Sequence, residues 1–361
     1  MSSAKTLDLY VDATGGVIRK VHGQKRPLLY SLVAELQNTS VSLADMLTTQ
    51  HTIPRICHFL GTVKRQLSLK GHTVNVRKIE TDYSFAIIQA STQVFNSADL
   101  KHYIQRCFDT VQHASKANGS TIIHLCSSHM LQDFSRMLKK KVPSLSKHAR
   151  RFALQCFATL QNATTLQSGL DIFGMFCKVC LSKQDNDDVT AQKESILKQN
   201  MGCVEDSDDE QSDDNRHEEL LADPYADLSK QTIRESSPFT PLFESIRSKT
   251  LEDTHQECEV VVNDMYMPRV VDLIVSSYAP MFPLWSGIML EKPQTRDTNS
   301  SVESWFKYVK SDIMSGERDK RPARFVMKNK SAIHARILLE TFPGAKQTKT
   351  RGKKEKLTLK E

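Results

Sequence analysis

Long apolar runs, an export leader and a cysteine framework are all missing from this 361-residue chain. No stretch of 18 or more apolar residues occurs, so no membrane-spanning helix and no membrane partner are expected. The opening segment, MSSAKTLDLYVD, has no charged start followed by an apolar core, which excludes a secretory signal. The eight cysteines are scattered without framework spacing, so reduced thiols inside a cell are expected. A glycine-rich phosphate loop ending in Gly-Lys-Ser or Gly-Lys-Thr is absent, which leaves an ATPase unsupported. Hydrophobic residues make up 39%, low for a compact globule, so part of the chain is expected to be poorly packed.

Charge is present, and unevenly placed. The net charge is +7, yet residues 205–219 carry nine acidic groups against one Arg. Residues 346–361 carry seven basic groups against two acidic ones. A basic end beside an acidic internal run fits contact with a polyanion such as nucleic acid, or, more plainly, a solubilising tail.

Hydrophobic periodicity divides the chain. TLDLYVDA alternates Leu7, Leu9 and Val11 with Asp8, Tyr10 and Asp12, the period of a strand with two unlike faces. Gly15-Gly16 signals a hairpin, with VIRKVHG and RPLLYSLVAEL as the second and third strands. Residues 42–67 read as helical, broken near Pro54, and HTVNVRKIETD reads as a fourth strand ending at Asp82. Two helices come next, then the short strand STIIHLCSSH and another helix. The expected organisation is a core, first part, at 1–142; a helical insertion at 143–183; an acidic disordered linker at 184–224; a second helical part at 225–297; a core C-terminal helix with a basic segment at 298–342; and a basic disordered tail at 343–361. A meander followed by alternating helices and strands is an α/β pattern with the layout of a ribonuclease H-like mixed sheet flanked by helices.

The segment TNSSVESWFKYVK, residues 298–310, places Val302, Phe306, Val309 and Ile313 on one helical stripe. Glu303, Lys307 and Lys310 share another face roughly 90° away. Thr298 or Asn299 is a candidate cap. By itself Glu303 is a first-turn acid with an i,i+4 lysine. Asp12 and Asp82 change that reading, because they end two strands that lie side by side in a ribonuclease H-like sheet. Three carboxylates gathered there suit hard divalent cations, which take oxygen ligands and leave room for phosphate.

LYVDATGGVIRK, IETDYSFAIIQASTQVFN, LCSSH and TNSSVESWFKYVK, in that order, resemble the catalytic core of Mutator-like element transposases, a branch of the DDE transposases. Residues 263–287 are also similar to the stretch before the third acid in that family. The resemblance covers roughly residues 6–142 and 263–330. It implies Asp12, Asp82 and Glu303 as ligands of two Mg²⁺ or Mn²⁺ ions, and it singles out Cys126 and His129. That Cys-x-x-His spacing can supply two zinc ligands but not a complete site, and its plain reading is a half-buried thiol and a hydrogen-bonded histidine; the sharper one has His129 contact the scissile phosphate or orient a metal-bound water. The resemblance also implies a nuclear protein that cuts transposon ends and joins them to target DNA, with a homo-oligomer allowed. The large helical insertion then falls between the second and third acids. Lys307, Lys310, Arg318, Lys320, Arg321 and Arg324, with Lys328 and Lys330 beyond them, form a basic series expected to meet DNA phosphates. No recognition module precedes the first acid, so a fragment or a domesticated remnant is expected. The alternative is a non-catalytic nuclear DNA- or chromatin-binding protein derived from a transposase.

Other residues have plainer readings. Cys177 and Cys180 have knuckle spacing inside an apolar helix and read as core. Trp285 and Trp305 sit in apolar runs and read as core. Glu80 is a possible spare ligand beside Asp82. Asp264 and Asp272 are rivals to Glu303, and Asp99 and Asp109 are surface acids.

Overall fold

A computed structural model describes residues 6–20, 22–36, 39–69, 75–113, 119–199, 226–254, 262–290, 300–314 and 321–341. The fold is α/β, a ribonuclease H-like five-stranded mixed sheet in the order β3-β2-β1-β4-β5. Its strands are β1 (Thr6–Thr14), β2 (Leu28–Leu36), β3 (Thr39–Thr48), β4 (Asn75–Thr81) and β5 (Ile122–Leu125). β1, β2 and β3 pair antiparallel, whereas β4 lies parallel to β1 and β5 parallel to β4. The parallel pairs are joined by helical crossovers: α1 (Ile53–Leu69) lies before β4, and α2 (Phe85–Asn96) and α3 (Leu100–Gln112) lie before β5.

The meander differs from its expected form. Gly16 does turn the chain, with φ +76°, a conformation that costs glycine little. Beyond it the chain runs as a loop instead of a strand. Val17 and Ile18 are consecutive apolar residues, and both are buried in one cluster instead of alternating between faces. Residues 42–48, where the periodicity predicts the start of a helix, belong to β3. Leu43, Met46 and Leu47 stand at the i, i+3, i+4 spacing of a helix; pairing with β2 overrides it, and a bulge leaves Leu43 between the paired Ser42 and Ala44. Pro54 stands in the first turn of α1, where its missing N–H costs nothing, and starts that helix.

Between β5 and the C-terminal helices come α4 (Ser127–Lys141), α5 (Lys147–Gln161), α6 (Leu166–Leu181), α7 (Asp187–Gln199), α8 (Ala226–Ser236), α9 (Thr240–Thr254), α10 (Pro268–Leu273) and α11 (Phe282–Trp285). A π-turn over Ile274–Tyr278 extends α10. Helix α7 corrects the start of the expected acidic linker, because Val189 and Ile196 bury against the insertion. The acidic run 205–219 and the tail 343–361 lie outside the described residues.

Alternation along the strands sorts the side chains onto two faces. Leu9, Val11, Ala13, Tyr30, Leu32 and Ile79 join one hydrophobic cluster that runs without a break into the helical region. Phe134, Phe157, Tyr278, Phe282 and Trp285 form its aromatic centre, with the Phe157 and Trp285 rings stacked at 4.7 Å. Cys177 and Cys180 are buried in the same cluster, as their apolar surroundings imply. The helical insertion therefore shares the sheet's core.

The opposite face is closed over β1, β2 and β3 by α12 (Ser300–Tyr308), which continues through a π-turn at Val309–Ile313. Val302, Trp305, Phe306, Val309 and Ile313 bury there against Leu29 and Val33. The final helix α13 (Pro322–Thr341) packs on β3 and on the π-turn.

Candidate functional site

Asp12, Tyr10 and Asp8 point to the sheet face that α12 covers, because Leu9, Val11 and Ala13 take the other. Asp82 follows the last residue of β4, and Val11 is in register with Thr81, so the two acids end adjacent parallel strands. β5 ends beside them: the Cys126 N–H donates to the Thr81 carbonyl at 2.9 Å. Cys126 is also the N-cap residue of α4, which places His129 in that helix's first turn.

His129 is the hub. Its Nδ1 lies 2.9 Å from Asp82 Oδ1, and its Nε2 lies 3.7 Å from Glu303 Oε1. Asp12 feels the charges of Asp82, His129 and Glu303 together. The three acids and the histidine named from the sequence thus meet in one cluster, although Asp82 and Glu303 are 221 positions apart (303 − 82). Glu303 is exposed on the solvent side of α12 while Val302 and Phe306 anchor the helix. Ser301 also donates to the Glu35 carboxylate on β2, which ties the start of α12 to the sheet.

Electrostatics follow from this crowding. Burial, then the Asp82 charge, raises the Asp12 carboxyl well above its ordinary range. The Ala13 N–H, 2.6 Å away, and His129 work against that rise. Burial alone would lower the His129 pKa. Its hydrogen bonds to Asp82 and Cys126, with the Asp82 charge, outweigh burial and raise it to about 11. A cationic imidazole thus sits among carboxylates. Those donors are oxygens, the type hard divalent ions prefer, and a cation offsets the repulsion that raises Asp12. The residues fit an Mg²⁺-class ion.

Several neighbours are spoken for. The Glu80 carboxylate contacts Lys78 Nζ at 3.3 Å and His124 Nδ1 at 3.3 Å, so its oxygens are engaged and it is not a spare ligand. All three residues are buried. Burial opposes ionisation of Glu80, but His124 and Lys78 outweigh it and hold the pKa down. Asp272 pairs with Arg247 at 2.7 Å in the helical region, away from the cluster. Asp264 is exposed, Asp99 caps α3 by accepting from the His102 N–H, and Asp109 accepts from Gln105. Lys307, Lys310, Arg321 and Arg324 are exposed, while Arg318 and Lys320 lie outside the described residues.

Two supports have no motif in the sequence. Asp45 on β3 stands in the row Asp12–Ser31–Asp45 across three strands. It accepts from Ser31, from Ser42 at 2.9 Å and from Asn329 of α13 at 2.6 Å. His51 links the Tyr30 hydroxyl to Ser84 Oγ, the latter at 3.2 Å, and the Ser84 N–H donates to the Asp82 carbonyl at 2.7 Å. Strand parity reveals Asp45 once residues 39–48 are read as a strand. No local signal marks His51, which lies between β3 and α1.

The fold and this cluster define a class: a ribonuclease H-like α/β protein with a carboxylate–imidazole centre at the ends of its two central parallel strands. No protein-family model matches the chain. It is similar to the 120.7 kDa protein in NOF-FB transposable element of Drosophila melanogaster, at 25% identity over 360 residues. The match covers 94% of this chain and 32% of that protein, so the chain spans about a third of that relative's length. This likeness suggests a transposon-derived chain.

Proposed function

We infer that the chain is a DDE-type transposase core of the Mutator-like kind, acting on DNA strands at element ends and in target DNA. One observation carries the reading: Asp12, Asp82 and Glu303 converge around His129 at the ends of β1 and β4. Similarity to a transposable-element protein supports it. Asp12 and Asp82 would hold two Mg²⁺ or Mn²⁺ ions, and Glu303 would complete the set from α12. Bound ions of this class supply activation of an attacking oxygen and stabilisation of the leaving one.

The chain's own residues do the rest. His129 is a positioning residue: its Nδ1 stands 2.9 Å from Asp82 Oδ1 and its Nε2 faces Glu303, so one ring spaces two carboxylates. α12 fixes Glu303 by burying Val302, Trp305 and Phe306. The exposed Lys307 and Lys310 follow Glu303 along its helix and would neutralise strand phosphates beside it, with the exposed Arg321 and Arg324 at the start of α13 as further cations. The chemistry requires a nucleus-located chain if it acts on chromosomal elements.

The test is DNA strand cleavage with Mg²⁺ and with Mn²⁺, comparing the wild type with Asp12→Asn, Asp82→Asn and Glu303→Gln. Each substitution is expected to lower the rate by about 10³-fold or more, roughly 4 kcal/mol of transition-state stabilisation. Wild-type cleavage unaffected by all three would overturn the reading. DNA binding without cleavage in any form would favour a non-catalytic DNA-binding role.

A further inference from the structure

Asp82, Cys126 and His129 offer a carboxylate oxygen, a sulfur and an imidazole nitrogen that all lie within 4.8 Å of one another. Among the described residues this is the one group of His, Cys, Asp and Glu so gathered. Its donor chemistry differs from that of the three acids. Magnesium-class ions take oxygen, whereas zinc-class ions accept thiolate and imidazole.

The backbone holds these donors before any ion arrives. Asp82 and Cys126 terminate neighbouring parallel strands, locked by the Cys126 N–H to Thr81 carbonyl bond. His129 follows one turn into the 15-residue helix α4. Cys126 is the N-cap residue of that helix, so its side chain and that of His129 are set by one backbone turn. Zinc–sulfur bonds are about 2.3 Å and zinc–nitrogen bonds about 2.0 Å, so tetrahedral donors stand roughly 3.5 Å apart. Nδ1 already lies 2.9 Å from Asp82 Oδ1, and a displacement of about 1 Å per donor satisfies that geometry. Cys126 is buried, whereas Asp82 and His129 are part exposed, which leaves an approach from solvent.

We propose that Asp82, Cys126 and His129 form a binding site for a zinc-class transition cation, distinct in donor set from the three-carboxylate site and sharing Asp82 with it. Three protein donors leave the fourth position to water, the arrangement of an open zinc site. Binding releases the Cys126 thiol proton and the His129 Nδ1 proton to solvent, and the ion takes both vacated electron pairs. If the proposed carboxylate chemistry holds, the two ions compete for Asp82, so zinc antagonises magnesium-dependent cleavage. The binding itself does not rest on that chemistry.

The experiment uses Co²⁺ as the probe, titrated into the full chain under anaerobic reducing conditions without DNA. One equivalent is expected to produce a near-ultraviolet thiolate-to-cobalt band, bleached by one equivalent of Zn²⁺. Cys126→Ser is expected to abolish the band and His129→Ala to weaken binding at least tenfold, each with unchanged far-ultraviolet circular dichroism. Asp82→Asn, at the exposed end of the site, is expected to weaken Co²⁺ binding about 10- to 100-fold and serves if Cys126→Ser does not fold. A wild type without the band overturns the proposal. So does a band that persists in Cys126→Ser, which would place the metal on other thiols, or affinity unchanged in Asp82→Asn. Cleavage is not read, so an inactive chain that binds Co²⁺ sinks the nuclease reading alone.

Discussion

The two faces of the sheet are built from the same alternating strands but end differently. On one face, Leu9, Val11, Tyr30, Leu32 and Ile79 continue into an apolar core whose centre is Trp285. On the other, the same strands present Asp12, Ser31, Lys78 and Glu80, and α12 closes only the β1–β3 half with Trp305 at its heart. The first face holds the protein together. The second holds charges in fixed places, and a short helix resting on a small cluster fixes its last carboxylate.

The largest effects should separate these two roles. Trp285 stacks on Phe157, meets Phe282 at 5.1 Å, and donates its indole N–H to the Tyr278 carbonyl at 2.9 Å. Trp285→Ala should cost about 3–5 kcal/mol of global stability, read by denaturant unfolding. Trp305 is equally buried, but its cluster is small: α12 and the π-turn, Phe325, Ala332 and Ile333 of α13, and Val17 and Ile18 against Leu29 and Val33 of β2. Trp305→Ala should release α12 locally: amide exchange across 300–313 accelerates while β1, β2 and β4 stay protected. Equal, global losses for both tryptophans would break the comparison between the faces.

How much of this is legible in the sequence depends on range. Asp12 and Asp82 can be placed because strand parity is local: Leu9 and Val11 fix where Asp12 points. Glu303 can be placed on a helix by its stripe of Val302, Phe306, Val309 and Ile313, but its meeting with Asp82 comes from the family resemblance. The helix expected from residue 42 gives way to β3 because Leu43, Met46 and Leu47 carry helical spacing, and only pairing with β2, through a bulge at Leu43, overrides it. Asp45 is hidden for the same reason. The His51 link to Tyr30 and Ser84, and the engagement of Glu80 by Lys78 and His124, are contacts between segments that no window spans.

A smaller effect sharpens the contrast through pH. Asp12 has a folded pKa raised above its unfolded value near 4, so its ionised form costs stability above that pH. Asp12→Asn should therefore stabilise the metal-free protein at pH 7, on the order of 1 kcal/mol, and the gain should vanish below about pH 4. His129 has the opposite sign. Its contribution is full below about pH 6.5 and is lost as pH rises towards about 11. Thermal melts of Asp12→Asn and His129→Asn across pH 4–10, without divalent ions, check both. An Asp12→Asn chain less stable than wild type at pH 7 would mean that the Ala13 N–H and His129 outweigh burial and the Asp82 charge.

The smallest effect concerns the exposed lysines. Lys307 on α12 and Lys310 in the π-turn that continues it follow Glu303 in sequence, whereas Lys101 is exposed on α3, over the opposite face. If strand phosphates lie along the Glu303 face, each lysine on it releases about one counterion on binding. Lys307→Gln and Lys310→Gln should each reduce the slope of log affinity against log salt by roughly 1, and Lys101→Gln should leave it unchanged. Fluorescence anisotropy with a short DNA duplex over a range of salt reads all three. Equal slope changes at Lys101 and Lys307 would indicate diffuse attraction to a chain of net charge +7. A change confined to Lys307 and Lys310 would tie the DNA to the face where α12 and the two strand ends meet, because exposed charges more than a Debye length of about 10 Å away contribute little to contact at one face.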